Sequence, residues 1–349
     1  MRRALHHALV GVALTVLGIA LTYGPLVLTG PAAPGWFPDL GVVETAAYRT
    51  ALGVLGTALL LAVSVGAGYR EQRRHGVGSE YRRFAGAVGT GGAAVVVLVA
   101  AALSVTASSG SGSLPILAAT VLSTVVSVLL AALVAALAGV SLAVLDTGWR
   151  RADAPFGRPL AVPVGAAAIA GGSVAVDGAT NLLLSAGELG VPGWLPAFGA
   201  VGETVSVYSS IDAALAAVIL VGGGVGLGVY AARRHGFDES ARRFVVLAAV
   251  GSAVGVTAVP ATVALAGLDG LFYGFSAFGI ATLASAYVET GVLAVLAAVA
   301  GLGVATFEAE RSDGRRDAAA DAGAPDDDEP AGFDADHGSE FSPAGETVR

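Results

Sequence analysis

Glu289 is the residue whose position most demands chemistry. It lies in Tyr287-Val288-Glu289-Thr290 within an apolar stretch over 279–307, about ten residues and roughly 15 Å of helix from its start. A carboxylate at that depth in hydrocarbon costs on the order of 2.5–3.5 kcal/mol, so it faces a bundle interior and marks an ion pathway or a buried hydrogen bond. Asp212, and Asp177 with Asn181, fall at shallower depth in neighbouring apolar stretches. With Glu289 at the centre, these four describe a proton or cation relay. Glu44 and Glu203, each followed by Thr, recur where two further stretches begin. At such positions, as at Asp212, a carboxylate also caps a helix and meets the positive end of its dipole.

Two basic turns repeat. Arg73-Arg74-His75-Gly76 reappears as Arg233-Arg234-His235-Gly236. Paired arginines hold phosphates or carboxylates bidentately. The simpler account is structural, because cations in a last helical turn offset the dipole and the glycine supplies a left-handed cap. An anionic inner leaflet adds about 1 kcal/mol per nearby arginine. Only five histidines occur, none inside an apolar stretch, and there is no cysteine. Disulfides, thiolate zinc sites and cysteine nucleophiles are thereby excluded, and no metal set assembles from spacing. Gly222-Gly223-Gly224-Val225-Gly226-Leu227-Gly228 lacks the flanking strand and Lys-Ser/Thr of a phosphate loop; small residues four apart instead let helices approach closely. With no nucleophile–base pair, the sequence points to no enzyme, no cofactor and no metal, and nothing in it suggests nucleic-acid binding.

The elements that must carry these residues are set by composition. The 349 residues are 55% hydrophobic and 13% charged, with a mean hydropathy of +0.75, beyond what a water-soluble domain tolerates. Eight continuous apolar stretches, 8–28, 50–68, 84–105, 116–145, 160–184, 208–230, 244–266 and 279–307, each supply enough residues to cross a bilayer core as a helix. The expected fold is an all-α polytopic bundle. Every positive residue is arginine, and all but Arg49 fall at the termini or on alternate connections. By the positive-inside rule both termini are cytoplasmic, in a multi-pass plasma-membrane protein. Arg49 is expected to snorkel toward headgroups. The start resembles a signal peptide with Ala32 and Ala33 near a cleavage point, but its apolar run is over-long for one.

Self-similarity organises the chain. Beyond the basic turns, Arg82-Arg83-Phe84 matches Arg242-Arg243-Phe244, and Gly68 and Gly91 match Gly228 and Gly251, all at an offset of 160. Pro34-Gly35-Trp36 matches Pro192-Gly193-Trp194, and Ala138-Gly139 matches Ala300-Gly301. The counterpart of Glu289 is Ser127. Two four-helix copies are thus expected, residues 1–150 and 151–308, parallel because each holds an even number of spans. Residues 309–349, with Asp326-Asp327-Asp328-Glu329, carry too little apolar area to fold and read as a disordered cytoplasmic tail, with solvation or docking to a basic protein partner as its role.

Lysine-free, arginine-only cations, Ala/Val/Gly-rich helices and an Asp-rich tail together resemble the polytopic membrane proteins of halophilic archaea, with high-GC actinobacteria the alternative source. That resemblance implies an archaeal plasma membrane and a salty cytoplasm. The expected function is a permease-like carrier, or the membrane subunit of a transport system, for a small solute or ion. The alternative is a non-transporting scaffold whose tail recruits a partner.

Overall fold

The computed structural model describes residues 2–29, 41–107, 114–148, 160–180, 196–197, 200–235, 241–265 and 284–323, and every regular element among them is helical. In chain order these are α1 (Arg2–Leu28), α2 (Val42–His75), α3 (Tyr81–Ala107), α4 (Leu114–Gly148), α5 (Ala161–Asp177), α6 (Val201–His235), α7 (Ala241–Leu265) and α8 (Leu293–Gly323). A 3-10 turn, Val77–Glu80, joins α2 to α3, and a π-helical turn, Tyr287–Val292, leads into α8. Seven helices are long and apolar enough to cross a membrane. The exception is α5, whose 17 residues span about 26 Å.

Residues Met1–Ala309 form one compact unit and Glu310–Arg349 a second. In the second unit, residues 310–323 belong to the last helix, where the run Ala318-Ala319-Ala320 has high intrinsic helix propensity. The expectation of a structureless chain therefore does not describe 310–323; residues 324–349 lie outside the described residues.

Helix ends follow from local chemistry. α2 closes at Gly76, with φ 60° and ψ 44°, whose N–H donates to the Gln72 carbonyl after a last turn holding Arg73, Arg74 and His75. Arg49 is held at the end of a neighbouring helix. Its Nε donates to Thr29 Oγ1 at 2.5 Å and its Nη2 to the Thr29 carbonyl at 3.3 Å, so the guanidinium serves the carboxyl end of α1, where carbonyls lack helical partners.

The core sits on α4 and α8. In their most apolar windows 67% and 61% of residues are buried, against 22–33% in the other long helices, so these two are central and the rest surround them. Packing is backbone against backbone. A Cβ built on Gly68 would lie 1.8 Å from the Ala136 carbonyl oxygen, and one on Gly139 2.0 Å from that of Val65. The same reciprocal contact joins α6 and α8, where Gly228 meets Ala298 at 2.0 Å and Gly301 meets Val225 at 2.1 Å. Any side chain at these four positions would force the helices apart. Phe84 and Phe244 are both fully buried, each on the first turn of its helix. Conversely, Val246, Val250 and Val254 form an exposed apolar stripe on α7, as do Leu55 and Leu59 on α2. Water would penalise such stripes.

Candidate functional site

Side-chain contacts bring the arginine-bearing helix ends together at one end of the bundle. Two carboxylates organise that end. Glu308 accepts hydrogen bonds from Tyr81 Oη at 2.9 Å and Arg82 Nη2 at 2.8 Å, and forms an ion pair with Arg233 Nη2 at 3.5 Å. It thus joins α8 to the start of α3 and the end of α6. Glu71, only 7% exposed, is surrounded by imidazoles. His6 Nε2 lies 3.0 Å from its Oε1, while His75 Nδ1 and His7 Nε2 lie 3.0 and 3.4 Å from its Oε2. The His7 ring also stands edge-on to Phe84, with centroids 5.1 Å apart.

The other basic side chains are held locally. Arg73 donates to Tyr69 Oη through Nε at 3.2 Å and Nη2 at 3.0 Å, and Arg234 lies 5.9 Å from the ring centroid of Tyr230, one turn earlier on its own helix. Arg74 is exposed. The side chain of His235 lies outside the described residues.

The opposite half of the bundle holds a cavity of about 370 Å³. It lies between α1, α2 and α4 on one side and α5, α6 and the π turn on the other, with Thr57, Ser127, Ser173, Asp177, Glu289 and Thr290 among its lining groups. About sixteen residues, roughly 24 Å of helix, separate Thr57 from Arg73 on α2. Asp177 occupies the last position of α5, and Glu289 sits within the π turn. Such a turn places one extra residue in a helical turn and frequently accompanies functional sites. Both carboxylates are exposed. Glu289 is hydrogen-bonded with the Ser285 side chain, and Asp177 lies within electrostatic range of both Glu289 and Asp212. Among the described residues, no arginine or histidine lines the cavity.

Of the four residues expected to form a relay, two therefore share this space. Asp212 is engaged elsewhere, its Oδ2 accepting from the Thr180 N–H at 2.8 Å and the Thr180 hydroxyl at 2.5 Å, which ties α6 to the chain just past α5. Asn181 lies outside the described residues. Glu203 folds back on its own helix start, accepting from the Ala200 N–H at 3.2 Å. The Glu44 carboxylate likewise turns back over Gly41, the N-cap of α2, where a built Cβ would meet its Oε2 at 2.3 Å. Both occupy capping positions.

Sequence reasoning missed the hydroxyl lining and the imidazole cluster. Serine and threonine in helices satisfy themselves on the preceding turn, as Thr22 does on the Gly18 carbonyl at 2.8 Å, so their presence alone carries little signal. Glu71 was findable, because a lone acid four residues before His75 in an arginine-rich last turn is a local pair. No protein-family model, curated protein or solved structure matches the chain.

Proposed function

We propose that this chain is a multi-pass membrane carrier, rather than an enzyme or an inert scaffold, and that its cavity binds a small cation or cationic solute in transit. The observation that carries the reading is the composition of the cavity wall. Two carboxylates and several hydroxyls face about 370 Å³ of space with no cationic side chain among them. Cations find charge and oxygen ligands there, whereas anions find only repulsion.

Lipid as the surrounding solvent is supported by the seven long apolar helices and the exposed valine and leucine stripes. The clustering of arginine-bearing ends, joined with the positive-inside rule, makes that end cytoplasmic and leaves the cavity on the outer half. A two-copy architecture is supported by position. Gly68 with Gly139, and Gly228 with Gly301, make equivalent close contacts in the two halves, and Phe84 and Phe244 are equally buried. Ser127 and Glu289, counterparts in the two copies, line the same cavity. In this reading α5 completes the eighth crossing.

The test is uptake of sodium, potassium and protons into proteoliposomes holding the full chain. Glu289→Gln and Asp177→Asn are each expected to reduce cation uptake about tenfold or more with the melting temperature unchanged, since neither carboxylate is ion-paired to a basic side chain. Uptake indifferent to both substitutions between pH 5.5 and 8, or no protein-dependent uptake of any of the three ions, overturns the carrier reading in favour of the scaffold.

A further inference from the structure

The Glu71 cluster lies outside the cavity and plays no part in the transport reading. It gathers His6, His7 and His75, three of the five histidines in the chain, around one carboxylate that is nearly sequestered from solvent. From it we infer a proton-operated clasp that fastens the first turns of α1 to the end of α2 when the imidazoles are largely neutral and releases them when acid protonates them.

One imidazolium beside Glu71 makes a neutral pair. A second and a third make the cluster net positive by one and then two charges. Among the described residues, the other charged groups at this end are mostly basic. At this end α1 contributes Arg2 and Arg3, and α2 contributes Arg70, Arg73 and Arg74. The turn before α3 and its first residues contribute Glu80, Tyr81, Arg82 and Arg83. Among the described side chains there, Glu80 is paired with Arg83 at 3.2 Å and Glu308 with Arg82 and Arg233. Imidazole is the side chain that takes up protons in mild acid, so acidification adds positive charge to the cluster.

The linkage also has a geometric asymmetry. His75 belongs to the same helix as Glu71, and losing that contact moves nothing. His6 and His7 belong to α1, so repulsion inside the cluster acts across the interhelical seam. Of these two, His6 has 55% of its side chain exposed and His7 only 12%. Among the described residues of the second half, no such cluster occurs. The position equivalent to Glu71 is Ala231, which is fully buried among Leu145, Ala241 and Phe244.

A chain without cysteine lets a single fluorophore be placed cleanly. In the full-length protein in liposomes, bimane on Leu5→Cys is to be followed with Arg74→Trp as quencher, both positions being exposed. Emission is expected to rise about twofold between pH 8 and pH 5, with a midpoint between about 5.5 and 7. Without the tryptophan it should not rise. Glu71→Gln should be unquenched already at pH 8. His6→Gln, a change at an exposed side chain that should not threaten folding, should reduce the amplitude and shift the midpoint toward acid. A flat trace between pH 8 and 5, or the same midpoint and amplitude in His6→Gln, overturns the clasp. A response abolished by a chelator also overturns it, because the ligand would then be a metal ion rather than protons.

Discussion

The two ends of the bundle treat carboxylates in opposite ways. At the arginine-bearing end Glu71 and Glu308 are each approached by three partners, and both bind helices to one another. At the other end Asp177 and Glu289 face a cavity with hydroxyl groups for company and no basic side chain in its wall. A carboxylate already matched by cations is a structural part. One left facing space with its charge unbalanced is available to something that enters, and that contrast separates binding chemistry from architecture in this molecule.

Three substitutions bear on that contrast, in decreasing order of expected effect. Placing an unmatched acid at the arginine end with Ala231→Glu buries a charge among apolar side chains. It should cost several kcal/mol and leave no monodisperse protein on size exclusion in detergent. Survival of that variant would mean that the arginine-bearing end is wetter than its packing implies. Glu71→Ala removes the acceptor from three imidazoles at a side chain only 9% exposed, and should destabilise by about 1–3 kcal/mol in thermal or denaturant unfolding. Glu308→Gln should do least. Its partners Arg82 and Arg233 are largely exposed, so a fall of roughly 1–3 °C in melting temperature is expected. In 1 M salt, where the screening length is about 3 Å, the difference between Glu308→Gln and wild type should shrink further.

The helices were legible from sequence and the cavity was not. Continuous apolar runs located all eight helices, although charge does not mark their ends: α2 extends through Arg70 to His75 and α8 through Arg311 to Gly323. Gly76 was equally readable, since a glycine closing a basic last turn has one conformational use, and it adopts it at φ 60°. The Arg49–Thr29 contact was not legible, because Thr29 lies twenty residues away at the end of another helix. Depth alone singled out Glu289, yet nothing in Tyr287-Val288-Glu289-Thr290 announces a π turn, whose extra residue reflects how α2, α5 and α7 pack around it. Asp212 looked equivalent to Asp177 from spacing. Only tertiary contact distinguishes them, because the Thr180 backbone and hydroxyl claim one and leave the other. The three histidines around Glu71 are separated by up to sixty-nine residues, a distance over which periodicity says nothing.

The π turn carries one more consequence. Each residue of an ordinary helix advances about 100° around the axis, so relaxing this widened loop into regular winding would swivel everything on its amino-terminal side by about that angle relative to α8. Glu289 lies inside that loop, so its direction about the axis depends on the one surplus residue.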